Sequence, residues 1–287
     1  MKFTKMQGCG NDYVYINCFE ENIDDRSALA VRLSERHFGI GSDGVIYICP
    51  SDKADFMMDM YNLDGSRGKM CGNGIRCVGK YVYDHRLTDK TEISVETLAG
   101  IKFLTLHKDD STDTVKSVTV DMGAPVFKAA EIPLNTDILS FTGNGEDDCI
   151  KEYPLVINGK EMKFTFVSMG NPHAVTFIDD TDGLKIEDFG PEAEAHKLFP
   201  ERANIEFIQV VDRTHTKMRV WERGSAETFA CGTGACASVV ASYLNGLTDN
   251  KVSVKLLGGT LEIEYDSRNQ KVFMTGPAVE VYNGEIF

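Results

Sequence analysis

Hydrophobic and polar residues alternate over much of the chain, a pattern that is typical of strands with one buried face. The pattern predicts strands at residues 3–18 (broken at 8–12), 45–49, 55–61, 92–120, 155–167, 205–211, 216–221 and 252–273. Helical spacing occurs at residues 26–38, 74–84, 191–198 and 234–244. Because strand exceeds helix and the two are mixed along the chain, the pattern predicts an α+β fold.

Several short segments recur at one constant separation along the chain. Residues 71–74, Cys-Gly-Asn-Gly, recur as residues 231–234, Cys-Gly-Thr-Gly, a shift of 160 positions (231 − 71). The pair Gly10-Asn11 recurs at the same shift as Gly170-Asn171, and residues 45–48 and 61–62 correspond to 205–208 and 221–222. Four segments in register indicate an internal duplication. We therefore expect two similar halves related by a pseudo-two-fold axis, each with a cysteine on a Gly-rich turn at the start of a helix.

The composition is that of an acidic globular protein. The 287 residues include 30 Lys and Arg against 44 Asp and Glu, a net charge of −14. This length predicts two domains, and the acidic balance argues against nucleic-acid binding, which depends on Lys and Arg. No stretch has the character of a signal peptide or a membrane-spanning helix, so we expect a cytoplasmic protein with no membrane partner. In that compartment the eight cysteines are expected to be free thiols.

The two cysteines of the repeated turn, Cys71 and Cys231, are the best candidates for chemistry. Unpaired backbone amides and the helix dipole favour an anion at a helix start, so we expect both thiols to have lowered pKa values. The same amides suit a carboxylate. Two such thiols on opposite sides of one carbon can remove a proton from one face and return it to the other. A lone Cys before Gly is usually a small packed residue, but the duplicated pair favours a two-base racemisation or epimerisation.

Rival uses of these residues find little support in the sequence. No Cys-x-x-Cys occurs and no His lies at zinc-finger spacing, so we expect no metal. The Gly-rich residues 39–44 follow a predicted helix instead of linking a strand to a helix, which argues against nucleotide binding. No Lys suggests a pyridoxal site, and we expect no cofactor. His173 on the duplicated turn, and Glu222-Arg223 in the segment matched to Asn62, are further candidates for the site.

The sequence resembles the diaminopimelate epimerase family over nearly its whole length. The resemblance is carried by residues 3–12, 39–44, 62–79, 169–173, 202–204, 221–224 and 230–234. It implies a cofactor-independent isomerase that interconverts LL- and meso-diaminopimelate for lysine and peptidoglycan synthesis. It also implies two pseudo-symmetric domains, each a curved, mostly antiparallel sheet around a central helix, with the active site in the cleft between them, and a homodimer. The tail resembles the family's return strand, so the domains are expected at 1–121 with 277–287, and at 122–276.

The resemblance also assigns roles to individual residues. Cys71 and Cys231 resemble the two acid–base thiols, and His173 and Glu222 resemble residues that assist them. The helix-start residues that would hold the reacting carboxylate are Gly72, Asn73, Gly232 and Thr233. The residues that would position the rest of the substrate are Asn11, Asn62, Asn171, Asn204, Glu222 and Arg223.

Two departures and two alternatives accompany the resemblance. Some family members carry Gln where this chain has Gly44, and the segment 128–166 is longer than usual, centred on an acidic loop at 143–148.

A related two-cysteine racemase acting on histidine or proline is the first alternative function. Asn62, Asn204 and Arg223 argue against it, since they suit a second charged end of a substrate. A non-catalytic binding protein on the same scaffold is the second alternative, and retention of both cysteines argues against that.

Overall fold

The computed structural model describes residues 1–140 and 149–286, so the acidic loop predicted at 143–148 lies outside the described residues. The chain forms two compact units. The first unit comprises residues 1–121 and 275–287, and the second comprises residues 122–274. Each unit mixes a many-stranded sheet with few helices, which confirms the predicted α+β class.

The first unit is built from β-strands and two helices. Its elements in chain order are β1 (Lys2–Gly8), β2 (Asn11–Asn17), α1 (Arg26–Ser34), β3 (Gly44–Cys49), β4 (Phe56–Asn62), β5 (Arg67–Gly68), α2 (Gly72–Asp84), β6 (Glu92–Thr97), β7 (Gly100–Asp109) and β8 (Thr114–Gly123), the last two residues of which belong to the second unit. Neighbouring strands pair antiparallel except at β2–β3 and β4–β6, which pair parallel. Helix α2 packs against β1, β2 and β7.

The second unit repeats this plan. Its elements are β9 (Tyr153–Ile157), β10 (Lys160–Ser168), β11 (Pro172–Phe177), α3 (Gly190–Glu194), β12 (Asn204–Asp212), β13 (His215–Glu222), β14 (Ala226–Glu227), α4 (Gly232–Leu244), β15 (Lys251–Lys255), β16 (Thr260–Asp266) and β17 (Lys271–Pro277), within which the unit boundary falls. The parallel pairs are β11–β12 and β13–β15. The final strand, β18 (Val279–Glu285), belongs to the first unit and pairs antiparallel with β1.

The strand registers confirm the predicted duplication. Val14 pairs with Val45 across β2–β3, and Ala174 pairs with Ile205 across β11–β12, so both partners move by 160 positions. Helices α2 and α4 have 13 residues each, and their first and last residues are also 160 positions apart. The duplication therefore extends from the sequence motif to the hydrogen-bond register. The pseudo-two-fold axis between the halves stays a prediction.

Each unit buries the apolar faces of its own strands. In the first unit, Val14, Ile16, Val45 and Tyr47 are almost fully buried in one cluster with residues of α1. In the second unit the buried cluster combines aliphatic side chains with the aromatic residues Phe164, Phe166, Phe199 and Phe207. The cysteine-bearing helices are buried along most of their length, so their positions are fixed on several sides by the surrounding strands.

Each of the four predicted helices differs from the prediction at one or both ends. The helix predicted at 26–38 ends at Ser34, because the carbonyl of Leu33 accepts from the amides of Ile40 and Gly41 as the chain turns. The helix predicted at 191–198 is only Gly190–Glu194. Helices α2 and α4 begin two residues earlier than periodicity indicates, because the preceding cysteines cap them. No helix in the described part of the chain is long and apolar enough to cross a membrane.

Replacing the buried Arg76 should destabilise the first unit. Its guanidinium is fully buried and donates to the carbonyls of Gly72 and Pro277 and to Oδ1 of Asn73. An Arg76→Met substitution keeps much of the apolar stem but removes the buried hydrogen bonds of the guanidinium, which should lower the free energy of unfolding by about 3 kcal/mol. Urea unfolding measures this, with the exposed Arg268→Met as the matched control. Equal midpoints for the two variants would contradict the structural role given to Arg76.

Candidate active site

Cys71 caps the helix of the first unit with its own side chain. Its backbone is extended, with φ −129° and ψ 119°, and Sγ accepts a hydrogen bond from the amide of Gly74 at 3.3 Å. The thiol in turn donates to Oδ1 of Asn11 at 3.2 Å. Cys71 is partly exposed. The sulfur is therefore held at the first turn of α2 by contacts on two sides while part of it remains accessible.

The neighbours of Cys71 hold one another in place. Asn11 Nδ2 donates to Oδ2 of Asp43 at 2.8 Å, which turns the amide oxygen of Asn11 toward the thiol. The phenol of Tyr13 is buried, and burial together with the nearby Cys71 and Asp43 raises its pKa well above the usual value. Tyr13 therefore stays a neutral hydrogen-bonding group.

The other predicted groups of the first unit lie on two separate turns. Asn62 ends β4, and its Nδ2 donates to Oγ of Ser66 at 3.0 Å, within the turn that follows. Gly72 and Asn73 form the first turn of α2 and are buried. Oδ1 of Asn73 accepts from Arg76 at 3.0 Å, so this side chain also supports the helix.

Cys231 repeats the same capping geometry in the second unit. Its φ and ψ are −114° and 108°, and Sγ accepts from the amide of Gly234 at 3.4 Å. The hydroxyl of Thr233 lies 3.5 Å from the sulfur. Cys231 is buried, in contrast to the partly exposed Cys71. The two thiols thus share a backbone arrangement but differ in exposure.

The expected lowering of the Cys231 pKa is wrong. Burial raises the pKa of the Cys231 thiol well above its usual value, and the negative charges of Glu222 and Glu206 raise it further. Hydrogen bonds from Thr233 and from the Gly234 amide oppose this but do not outweigh it. The helix dipole stabilises a thiolate at the helix start by about 0.3–1 kcal/mol. A pKa change of one pH unit corresponds to about 1.4 kcal/mol, so the dipole alone shifts the pKa by less than one pH unit. Burial can move a pKa by several pH units, so desolvation prevails over the helix start.

Glu222 lies beside the Cys231 thiol at the end of β13. Burial raises the pKa of Glu222, while hydrogen bonds from Thr228 and Cys231 and the nearby His173 lower it in part. The hydroxyl of Thr228 donates to Oε1 of Glu222. The carboxyl is therefore oriented by one neighbour and within hydrogen-bonding reach of the thiol.

His173 lies on β11 with both ring nitrogens in contact with polar groups. Its Nδ1 is 2.6 Å from Oε1 of Glu206, and both side chains are fully buried. Its Nε2 is 3.0 Å from Oδ1 of Asn171, on the duplicated Gly-Asn turn. The ring orientation is thereby determined from both ends.

Asn204 and Arg223 connect two turns of the second unit. Nδ2 of Asn204 donates to the carbonyl of Pro172 at 3.0 Å, and its Oδ1 accepts from the amide of Arg223 at 2.9 Å. The guanidinium of Arg223 is exposed and donates to the carbonyl of Glu201 at 3.1 Å. Asn204 thus holds the turn that carries Arg223, and the charged end of Arg223 remains available to an anion.

Within each unit the structure brings most of the predicted residues together. Asn11, Cys71, Gly72 and Asn73 are connected in the first unit, and Asn62 lies on a turn of its own. The connected residues of the second unit are Asn171, His173, Asn204, Glu222, Arg223, Cys231, Gly232 and Thr233. Within the described residues, no group of three or more His, Cys, Asp or Glu side chains is placed to hold a metal ion.

Sequence reasoning missed three residues that support the site. Asp43 orients Asn11, Thr228 orients Glu222, and Glu206 contacts His173. A signal was present only for Glu206, a charged residue inside the apolar run 205–208 where the matching position of the other half is Ile46. Asp43 lies between Ser42 and Gly44, and Thr228 lies between Glu227 and Phe229. Neither position belongs to the repeated motifs, so nothing in the local sequence marked these two residues.

The raised pKa of Cys231 predicts how its reactivity depends on pH. Alkylation needs the thiolate, so its rate at Cys231 should still be rising about tenfold per pH unit above pH 9, the usual thiol pKa. Peptide mapping by mass spectrometry after iodoacetamide pulses gives the rate for this one residue, and Cys231→Ser identifies its peptide. A rate that levels off below pH 8 would contradict the raised pKa.

The whole chain is similar to proteins of one family. The model of the family "Diaminopimelate epimerase" matches residues 3–128 and 165–281. A relative named diaminopimelate epimerase from Agathobacter rectalis is 58% identical over 288 residues, covering 100% of this chain and 99% of the relative. One from Acetivibrio thermocellus is 55% identical over 286 residues, covering 100% of this chain and 98% of the relative. The residues matched by the family model include both cysteine turns.

Solved structures of lower sequence similarity share the fold. A PhzF-family phenazine biosynthesis protein of Bacillus anthracis superposes with a TM-score of 0.69 at 16% identity, covering 100% of this chain and 99% of that one. A hydroxyproline epimerase from Agrobacterium vitis superposes with a TM-score of 0.64 at 12% identity, covering 100% and 90%. At these identities the likeness concerns the fold alone. From its full-length similarity to the curated relatives, the chain belongs to the diaminopimelate epimerase family.

Proposed function

We propose that this protein is a cofactor-independent epimerase that interconverts LL- and meso-diaminopimelate, with Cys71 and Cys231 as its two acid–base groups. The observation that carries the proposal is the repeated cap. In each unit a cysteine sulfur accepts from a helix-start amide, at 3.3 Å and 3.4 Å. The full-length similarity to curated diaminopimelate epimerases supports the choice of substrate.

The reaction moves a proton between the two faces of an α-carbon. One sulfur enters as thiolate and takes the proton from the α-carbon, and the other enters as thiol and gives its proton to the opposite face. After one turnover the two sulfurs have exchanged protonation states, so the enzyme works in both directions. The chemistry requires both sulfurs to reach opposite faces of the same carbon.

The helix starts supply the stabilisation that a cofactor would otherwise give. As the proton leaves, negative charge grows on the substrate carboxylate. Backbone amides at Gly72-Asn73 and Gly232-Thr233, in the first turns of α2 and α4, can donate to that charge. The amide groups are positioned before the reaction, so they need not reorganise as the charge develops.

Polar groups beside each sulfur can accept a hydrogen bond or a proton from it. Oδ1 of Asn11 accepts from the Cys71 thiol at 3.2 Å and keeps the sulfur directed. Glu222 lies in hydrogen-bonding reach of Cys231, so its carboxylate can accept that thiol's proton when Cys231 acts as the base. His173, in contact with Asn171 and Glu206, supplies a second polar neighbour near the reacting carboxylate.

The far end of the substrate accounts for the preference over other amino acids. Diaminopimelate carries a second amino-acid centre, and the exposed guanidinium of Arg223 suits its carboxylate. Asn62, Asn171 and Asn204 offer amide oxygens to its ammonium group and amide hydrogens to its carboxylate. A racemase for histidine or proline would have no use for this set, because its substrate lacks a second zwitterionic end.

The remaining parts of the proposal concern the assembly. We propose that the two units act as domains, at residues 1–121 with the C-terminal tail and at 122 to about 276. The protein is proposed to be a cytoplasmic homodimer whose partner in catalysis is the small-molecule substrate alone. The acidic balance of −14 supports the absence of nucleic-acid binding.

Removing either thiol should abolish epimerisation. Cys71→Ala and Cys231→Ala should each lose at least about 1,000-fold in kcat, because each removes one of two essential proton carriers. The serine variants should catalyse exchange of the α-hydrogen in D₂O for one stereoisomer while failing to epimerise it. Chiral chromatography and mass spectrometry of the product measure both.

The control for this experiment is Cys18→Ser, a partly exposed cysteine outside the proposed site. It should retain full activity without added cofactor. Wild-type protein should act on LL-diaminopimelate and leave a panel of single-centre L-amino acids unchanged. Normal activity of Cys71→Ala would exclude the two-thiol mechanism, and turnover of histidine or proline in preference to diaminopimelate would exclude the substrate.

Changing Arg223 should affect substrate binding more than turnover. Arg223→Lys keeps the charge but loses the bidentate geometry, so KM for LL-diaminopimelate should rise about 10- to 100-fold while kcat falls much less. Arg202→Lys is the matched control, because Arg202 pairs with Glu194 at 3.2 Å and is not a proposed substrate ligand. Equal KM values in the two variants would remove Arg223 from the binding site.

A further inference from the structure

Glu206 is a buried acid in a strand whose neighbours are apolar. It lies on β12 between Ile205 and Phe207, and its side chain is fully buried. Oε1 lies 2.6 Å from Nδ1 of His173. Oε2 is buried without a hydrogen-bond partner among the described residues. A buried carboxylate oxygen left unpaired is costly to fold, so its presence calls for a reason other than packing.

The other half of the chain shows that the fold does not need this acid. The position matching Glu206 at the 160-residue shift is Ile46, also fully buried. A Cβ on Gly74, in the first turn of α2, would lie 2.6 Å from Cδ1 of Ile46. A Cβ on the matching Gly234 of α4 would lie 2.7 Å from Oε1 of Glu206. Both side chains therefore fill the same space beneath the same turn, one with a methyl group and the other with a carboxylate.

This place brings the carboxylate close to the Cys231 sulfur. The Cβ position of Gly234 is 2.7 Å from Oε1 of Glu206 and 3.2 Å from Sγ of Cys231, so those two atoms lie within about 6 Å of each other. The ionisable groups that face Glu206 come from three elements: His173 from β11, Glu222 from β13 and Cys231 from the start of α4. At this range in a buried site, one negative charge strongly disfavours another.

We propose that Glu206 is a positioning residue that makes the two halves chemically unequal: it orients His173 by accepting its Nδ1–H, and its charge keeps Cys231 in the thiol form in the resting protein. This inference rests on the proposed function, since it assigns Cys231 as the proton donor when the first substrate binds. Beneath the helix turn of Cys71 the matching side chain is the uncharged Ile46, and the carboxylate of Asp43 lies further out, hydrogen-bonded to Asn11. Cys71 is then the base: it gives up the proton that it donates to Oδ1 of Asn11, and as thiolate it takes the proton from the substrate α-carbon. The Cys231 thiol gives its own proton to the opposite face of that carbon.

Two substitutions separate the effect of Glu206 on the orientation of His173 from its effect on the protonation of Cys231. Glu206→Gln keeps the size and a carbonyl acceptor for His173 but removes the charge. Glu206→Ile introduces the residue found at the matching position 46 and removes both the charge and the acceptor for His173. The exposed Glu262→Gln on β16 is the matched control, because it makes the same change in net charge away from the site.

The thiol is followed by NMR on the full reduced chain labelled with [3-¹³C]cysteine, with the Cys231 signal assigned from Cys231→Ser. The midpoint of its titration should fall by about one pH unit or more in Glu206→Gln and stay unchanged in Glu262→Gln. In ¹⁵N-histidine-labelled protein, Nδ1 of His173 should carry the proton in the wild type and in Glu206→Gln. That preference should be lost in Glu206→Ile.

The pH dependence of kcat/KM is a second measurement, and it would not change if Glu206 had only a structural role. In Glu206→Gln the alkaline limb of the kcat/KM profile for LL-diaminopimelate should move down by the same interval as the thiol titration, with KM within about twofold. A Cys231 midpoint equal in wild type and Glu206→Gln overturns the proposal, even if Glu206→Ile does not fold. The NMR measurements need no substrate, so a wild type that fails to epimerise diaminopimelate would reject the proposed function without deciding this inference.

Discussion

The capping of a helix by a cysteine sulfur is the constraint on which the rest of the structure depends. The first amides of a helix have no partner within it, and in α2 and α4 the sulfurs of Cys71 and Cys231 accept from one of them. This fixes the sulfur at the first turn of the helix, whose amides have no intrahelical acceptor. A thiol and a set of donors for a carboxylate are therefore obtained from the same turn. The burial of both helices keeps that turn rigid, since their sides are packed against strands of the same unit.

The duplication gives both halves the same backbone arrangement, and a few residues that differ between the halves give the two sulfurs different surroundings. The strand registers repeat at 160 positions, as do both cysteine caps. At matched positions Tyr13 corresponds to His173, Ile46 to Glu206, and Asn62 to Glu222. At these three positions the second half carries ionisable groups where the first half has a neutral phenol, an alkyl group and an amide. The first half has its own carboxylate nearby, Asp43 beside Asn11, where the second half has Ala203. One backbone plan thus provides two thiols in different electrostatic surroundings, as a reaction with one base and one acid requires.

The competition between helix start and burial shows why a motif alone does not give a reactivity. The favourable effect of a helix N-terminus is small and local, whereas the cost of ionising a buried group is large. At Cys231 the buried setting and two nearby carboxylates outweigh the amide and hydroxyl that favour the thiolate. In the proposed reaction a high thiol pKa is useful, because the group must hold a proton until the opposite face of the substrate carbon is ready to receive it.

The sequence by itself determined the α+β class, the duplication and the positions of both cysteine turns, because these depend on local periodicity and on repeated short motifs. It did not determine the length of the helix at 191–198, which ends at Glu194. Nor did it reveal Asp43 and Thr228, whose roles arise from side chains that meet only in the folded chain. Only the tertiary structure decided that Cys231 is buried beside Glu206 and Glu222. Burial and the distance between charges depend on how strands and helices pack, and no local pattern encodes either of them.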